Sequence, residues 1–209
     1  SQTIIDYLSS DVMKKQFEMA LPKHFETERF VRIAITEMRR TPELQECTLQ
    51  SVLGAFMQAA QLGLEPGLLG QCYLIPFRNR KTGQKECQFV IGYKGMIDLA
   101  RRSGNIESIY AQVVKENDEF EYQYGLDPDL KHKPAMKDRG KTIGAYAVAK
   151  FKDGGYQFEF MSVDEIEKRR ERSAAKNSGP WVTDYDEMCM KTVIRHMFKY
   201  LPISIEIMR

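Results

Sequence analysis

Along the first third of the chain, apolar residues recur every three or four positions, and this spacing predicts helices. Thr3 with Asp6 forms a capping pattern ahead of Ile4, Ile5, Leu8 and Val12. Thr27 opens a second helix with Phe30, Ile33, Ala34 and Met38 on one side, stopped at Thr41-Pro42. Thr48 opens a third, with Leu49, Val52, Leu53, Phe56 and Ala60 in register, and Gly63 suits the left-handed position that closes a helix. The middle changes period. CYLIPF and CQFVI are partly alternating apolar runs separated by RNRKTGQKE, whose Gly83 marks a turn, so a β-hairpin is predicted. A short helix from about Gly95 follows and ends in Arg101-Arg102. IESIYAQVV and EFEYQY read as strands around a turn at Glu116 to Asp118. TIGAYAVAKF and YQFEFMSV form a hairpin joined by Asp153-Gly154-Gly155, with Tyr156, Phe158 and Phe160 alternating. Between these pairs, LDPDLKHKPAMKDRGK is polar, carries two prolines and reads as a mobile surface loop.

The last third returns to helix. Ser162 with Glu165 is a capping box ahead of VDEIEKRRERSAAK. NSGP interrupts the chain before its one tryptophan, Trp181, and a final helix is predicted from about Asp184 to Tyr200, ending at Leu201-Pro202. Helices, an antiparallel sheet, then helices make an α+β domain. With no internal repeat and no visible boundary, residues 1–209 read as one domain. Its parts are a mainly helical stretch over 1–62, a β-rich core over 63–161 and a helical, basic stretch over 162–209.

Composition changes this picture little. At 209 residues and 43% hydrophobic, the chain can bury a proper core. Its 31 basic and 29 acidic residues leave a net charge of +2, so any nucleic-acid site must come from clustering, with acids collected elsewhere. No apolar run is long enough to span a bilayer, and SQTIIDYLSSDV reads as an ordinary helix, not a signal peptide. Cys47, Cys72, Cys87 and Cys189 show no metal-binding spacing, so reduced thiols in a cytosolic protein are expected. The chain begins without Met and stops soon after KYLPISIEIMR, which reads as residues missing at both ends.

Candidate chemistry lies in the cations. From Arg78 to Arg102 there are seven Lys or Arg (Arg78, Arg80, Lys81, Lys85, Lys94, Arg101, Arg102) against two acids. Cations beside Tyr93, flanked by Gly92 and Gly95, suit a phosphate backbone with stacked bases; the alternative is a solvated charged hairpin tip with Tyr93 simply packed. Lys168, Arg169, Arg172 and Lys176 fall on one stripe of the predicted helix, which either meets phosphates or forms a salt-bridged face with its four acids. Lys191, Arg195 and Lys199 recur every fourth residue opposite Met190, Val193, Ile194 and Met197, with no acid between Met188 and Tyr200. Like charges at that spacing repel, which points to an external anion or to acids from elsewhere in the fold.

Ala135 to Thr142, AMKDRGKT, satisfies a relaxed phosphate-loop pattern. Such a loop needs a buried strand before it and a helix after it; here LKHKP precedes and IGAYAVAKF follows, so nucleotide binding is rejected and Lys141 is left as a loop cation. His24, His132 and His196 stand apart and no nucleophile elbow is present. Asp127 with Asp129, and Asp184 with Asp186 and Glu187, are the tight acidic groups a metal-dependent nuclease would use.

Several stretches resemble the RecT-type phage single-strand annealing proteins: LGLEPG at Leu62 to Gly67, YLIPF at Tyr73 to Phe77, and IGYKGMIDLARRSG at Ile91 to Gly104. AQVVKENDEFEYQYG, SVDEIEKRRERS and WVTDYDEMCMKTVIRHMFKYLP extend the resemblance, in order, over most of Ala20 to Pro202. It implies a non-enzymatic protein of homologous recombination, encoded by a phage or prophage and acting in the bacterial cytoplasm. Such a protein coats single-stranded DNA and pairs complementary strands without ATP or another cofactor; magnesium is compatible but not required. Rings or helical filaments of head-to-tail protomers are implied, and the amino-terminal helices, with exposed-looking Met and Phe, are the candidate contact. A further carboxy-terminal segment, usual in the family, would engage a phage exonuclease and a host single-strand-binding protein. The expected DNA-binding residues are Arg78, Arg80, Lys81, Lys85, Tyr93, Lys94, Arg101, Arg102, Lys141, Arg169, Arg172, Lys176, Lys191, Arg195 and Lys199. The alternatives are a single-strand nucleic-acid-binding module that does not pair strands and, behind it, the nuclease.

Overall fold

A computed structural model of the chain describes residues 2–173, 176–177 and 180–202. They divide into two compact units, Ser1–Leu99 and Ala100–Arg209. The boundary falls inside a helix, where no proline-, glycine- or serine-rich linker marks it in the sequence.

The first unit begins with α1 (Ile4–Leu8) and α2 (Asp11–Ala20). The capping box of Thr3 and Asp6 forms as expected, but the predicted single helix is two. Ser9 ends the first and Ser10 caps the second, the Ser10 hydroxyl accepting from the Met13 N–H. α3 (Thr27–Arg40) ends at Thr41 and leads through a 3-10 turn (Pro42–Glu46) to α4 (Leu49–Leu62). Thr48 caps α4, and Gly63 closes it with φ 63° and ψ 37°. Phe17 and Phe30 meet edge to face at 5.1 Å in the core between α2 and α3, joined there by buried Ala34 and Met38. The phenylalanines expected to form an exposed oligomer contact are therefore core residues, while Met19 and Val12 are exposed.

β1 (Cys72–Arg78) and β2 (Lys85–Ile91) form the predicted antiparallel hairpin, paired from Cys72↔Ile91 to Arg78↔Lys85. Cys72, Leu74 and Cys87 are buried on its inner face. The start of α4 holds β2 by its backbone: the Thr48 N–H donates to the Lys85 carbonyl (2.9 Å), and the Cys87 N–H donates to Ser51 Oγ (3.0 Å).

α5 (Tyr93–Arg102) starts two residues earlier than expected and contains the unit boundary. In the second unit, β3 (Ile106–Lys115), β6 (Thr142–Phe151) and β7 (Tyr156–Ser162) make an antiparallel sheet in the order β3–β6–β7. β4 (Glu119–Gln123) pairs with β5 (Asp129–Lys133) in a separate ribbon. Two expectations are corrected here. β3 and β4 do not pair with each other, and Leu126 to Lys141 is not loop throughout. β5 forms because Leu130 and His132 face the same side as Tyr122 and Phe120, their register partners. That side packs on Val114, Tyr146, Val148 and Phe158.

The central strand β6 is buried from Gly144 to Ala149. Tyr146 and Val148 meet the ribbon; Ala145, Ala147 and Ala149 point to the other face, where small side chains let a helix lie close. That helix is α8 (Tyr185–Phe198), which buries Cys189, Val193, Ile194 and Met197. Met190, expected with them, is only half-buried. α6 (Val163–Arg170) and the short α7 (Pro180–Thr183) complete the unit. Among the described residues no helix is long and apolar enough to cross a membrane.

Candidate nucleic-acid interface

Three of the predicted cations converge in the second unit. Arg169 from α6 and Lys191 and Arg195 from α8 line one concave pocket of about 280 Å³, together with Trp181 and Met188. Burial pushes the Lys191 ammonium below the usual lysine range, and the Arg195 cation pushes it further the same way. Two cations held together against burial favour an incoming anion. Arg169 approaches His196 Nδ1 at 3.4 Å, and His196 Nε2 stands 3.7 Å from Glu159.

The pocket exists because neighbouring arginines of α6 point different ways. Arg170 turns inward, its guanidinium 5.7 Å from the Trp181 ring and 6.0 Å from the Tyr185 ring. Its Nε donates to the Lys176 carbonyl (2.7 Å), and Glu167 lies 3.5 Å from its Nη1. Tyr185 donates its hydroxyl to Glu167 (2.6 Å), and burial followed by that bond raises the phenol's pKa. This clamp ties α6, α7 and α8 together and leaves Arg169 facing the pocket.

The remaining predicted cations fall into two groups. Lys94, Arg101, Arg102, Lys141, Arg172 and Lys199 are exposed, as are Arg80 and Lys81 at the hairpin tip. Others are engaged within the fold. Arg78 donates to the Gly83 carbonyl (2.9 Å), Lys85 pairs with Glu46, and Lys176 pairs with Glu171 (3.0 Å). The stripe expected from Lys168 to Lys176 is broken, because α6 stops at Arg170 and Arg172 and Lys176 lie beyond it. The stripe on α8 persists, but Lys191 and Arg195 are half-buried where exposed side chains were expected; Lys199 caps the helix.

Tyr93 is half-buried, not an open stacking platform. Its flanking glycines serve the fold: a Cβ on Gly92 would overlap the Gly70 carbonyl oxygen, and one on Gly95 the Gln71 carbonyl oxygen. The close backbone approach read from these glycines is made by the protein's own loop.

Sequence reasoning missed a second polar centre. The Asp118 carboxylate, its side chain shielded from solvent, accepts from Arg139 Nε (3.0 Å) and Nη2 (2.6 Å), His132 Nε2 (2.9 Å), and the N–H groups of Lys115 (3.0 Å) and Ala135 (2.9 Å). His132 Nδ1 is 2.9 Å from the Tyr146 hydroxyl, which donates to it when Nε2–H serves Asp118. The Arg139 guanidinium is the main reason the Asp118 carboxyl sits far below the usual carboxylate range. The centre joins the end of β3, β5 and the loop that carries Lys141. Its signal was the alternation of Phe120, Tyr122 and of Leu130, His132, hidden by the polar residues around it.

The loop from Ala135 to Lys141 runs into strand β6, not into a helix N-terminus, so no set of helix amides faces a phosphate there. The acidic groups are also occupied. Burial opposes ionisation of Asp186, but Thr142 Oγ1 (2.6 Å) and Lys115 Nζ (2.9 Å) overcome it and hold its carboxyl below the usual range. Asp184 accepts from Thr183 Oγ1 (2.8 Å). Among the described residues no three His, Cys, Asp or Glu side chains group as a metal site would need. All four cysteines are buried and free; burial pushes the Cys72 and Cys87 thiols up to about 12 and Cys189 to about 11, which makes them inert.

Comparison with known proteins agrees with the motifs. The RecT family profile matches residues 28–209. The chain is 51% identical over 209 residues to Protein RecT of Escherichia coli, covering 99% of this chain and 78% of that protein. It is 26% identical over 209 residues to the uncharacterized protein YqaK of Bacillus subtilis, covering 99% and 70%. The chain belongs to the RecT family, and with it to the single-strand annealing proteins of recombination.

Proposed function

We propose that this chain pairs complementary DNA strands by holding their phosphates on the cationic pocket of its second unit, without ATP and without bond chemistry. One observation carries the reading: Arg169, Lys191 and Arg195 share a pocket in which burial and a like charge already disfavour the Lys191 ammonium. A phosphate entering there relieves that repulsion and displaces the strand's condensed counterions. Arginine adds a forked pair of hydrogen bonds that a lysine cannot make. Exposed Lys94, Arg101, Arg102, Lys141, Arg172 and Lys199 are the further cations offered to the backbone.

Annealing follows if the protein holds paired strands more tightly than single ones, because binding shifts the equilibrium toward the state it prefers. Neutralising one strand also weakens the repulsion that slows pairing. Protomers would act together along a strand, as rings or filaments. Labelled complementary oligonucleotides, mixed without ATP and with or without a chelator, test the reading. Pairing faster than the spontaneous rate supports it. Binding without pairing would favour a strand-protecting module, and chelator-sensitive shortening of the DNA would favour a nuclease.

A further inference from the structure

We propose that copies of this chain join head to tail, with the outer face of the β1–β2 hairpin of one copy seated on the tip of the β4–β5 ribbon of the next. The inference rests on the annealing reading only in that such proteins act as assemblies. Its surfaces are described without reference to DNA.

The hairpin presents apolar side chains beside cations. Alternation along β1 puts Tyr73, Ile75 and Phe77 on the face away from α4, and they are 39%, 44% and 40% exposed. Their cross-strand partners are Val90, Gln88 and Glu86, and the Glu86 carboxylate accepts from Asn79 Nδ2 (3.1 Å). Arg80 and Lys81 stand exposed at the tip. Residues Arg78 and Lys85 turn to the opposite side, toward Glu46, so they do not dilute this face.

The ribbon tip presents apolar side chains beside carboxylates. Leu126 is completely exposed, Tyr124 and Tyr156 are about half exposed, and Asp127 and Asp129 flank them. From Glu116 to Lys133 there are six acids against two lysines: Asp118 is used inside the fold, Glu119 and Glu121 lie opposite Lys133 and Lys131, and Lys131 stands 3.8 Å from Asp129, so the exposed ribbon keeps an excess of negative charge with Asp127 at its tip. The rings are already fixed. Tyr124 stacks on Phe158 at 5.2 Å and accepts from the Phe160 N–H (2.9 Å), while Tyr156 donates to the Pro128 carbonyl (3.2 Å). A pre-formed apolar surface loses little entropy on docking.

These two surfaces complement each other and not themselves. Ribbon against ribbon brings carboxylates together, and hairpin against hairpin brings cations together. A nucleic acid would be repelled by the ribbon tip. A contact between two different patches of the same chain propagates from copy to copy, closing as a ring or continuing as a filament. It also places the protomer contact away from the amino-terminal helices, whose Phe17 and Phe30 are buried.

The test is assembly by charge exchange, read by sedimentation velocity with and without a short oligonucleotide. One variant carries Asp127→Lys with Asp129→Lys, and a second carries Arg80→Glu with Lys81→Glu. Each alone is expected to lose assembly, since its altered patch now repels its intact one. An equal mixture is expected to regain it, because the lysine-bearing ribbon accepts the glutamate-bearing hairpin and the intact pair still match. Circular dichroism monitors folding, and Asp127→Asn with Asp129→Asn gives a neutral second form expected to weaken assembly. Either charge-reversed variant assembling like the parent, a mixture that stays dispersed, or a parent that never assembles would overturn the proposal. On an oligonucleotide too short to hold two protomers, single-strand affinity of the ribbon variant is expected to match the parent's, so loss of assembly is read separately from loss of DNA binding.

Discussion

Arg169 and Arg170 are adjacent in sequence and should fail in opposite ways. Arg170→Ala removes a guanidinium set against two aromatic rings, a hydrogen bond to the Lys176 carbonyl and an ion pair with Glu167. A partly desolvated cation–π contact contributes about 1 kcal/mol, and a hydrogen bond from a charged donor about 1.5–3 kcal/mol. The Arg170 side chain is 21% exposed, so some of this is recovered by water, and a net loss of about 2–3 kcal/mol is expected. For a chain of this length that lowers the melting temperature by roughly 5–10 °C. Single-strand affinity of the folded protein should change little at low temperature. Arg169→Ala should do the reverse. It removes one charged donor from the pocket, which weakens single-strand binding by roughly 10- to 100-fold, and leaves the melting temperature within a few degrees. Thermal denaturation and fluorescence anisotropy on the same two proteins read both effects. If Arg170→Ala abolished binding at full stability while Arg169→Ala melted early with binding intact, the clamp and the site would have been assigned to the wrong arginines.

The other expectations follow from charge. Asp118 ionises well below its unfolded value, so its contribution is complete above about pH 4 and is lost as acid protonates it. The parent should therefore lose stability on acidification below about pH 4 more steeply than Asp118→Asn, which starts less stable; parallel acid-melting curves would contradict this. Lys191 has the opposite sign: its lowered pKa means that it loses charge below the ordinary lysine value of about 10.4 as pH rises. Single-strand affinity should fall as the pH is raised toward the ordinary lysine range, earlier than an unperturbed lysine would give, and Lys191→Arg should flatten that fall; identical pH profiles would remove Lys191 from the site. Binding should also weaken steeply with salt. If about four phosphates are neutralised per protomer, the log-log slope on a single strand is roughly −3, steeper when assembly is cooperative. An affinity indifferent to salt would end the electrostatic account.

What the sequence revealed depended on the range of the interaction. Caps and turns are local, so Thr3, Thr48, Gly63 and the hairpin around Gly83 were readable from a few residues each. The family was readable because its motifs are contiguous. The β4–β5 ribbon was not, because β5 is polar by composition and exists only through partners elsewhere: Leu130 and Phe120 on the sheet, His132 on Asp118 and Tyr146. The cationic stripe of α8 was legible by spacing, but its partner was not. Arg169 reaches the same pocket only because Arg170 is drawn to Trp181, a contact between residues eleven apart across a turn. Lys85 looked identical in sequence to the pocket cations, and its partner Glu46 lies too far along the chain to be read as one, whereas the pairing of Lys176 with Glu171 is the salt-bridged alternative that the local acids allowed.

The central claim is that the pocket's cations drive strand pairing without nucleotide or metal. The direct measurement is the pairing rate of complementary labelled oligonucleotides in ATP-free buffer with chelator, for the parent and for Arg195→Ala, each shown to be folded under the assay conditions. The account predicts that the parent pairs strands well above the spontaneous rate and that Arg195→Ala falls close to it, with Arg195→Lys in between because it keeps the charge and loses the fork. A parent that pairs only with ATP or a divalent cation, or a folded Arg195→Ala that pairs as fast as the parent, would contradict it.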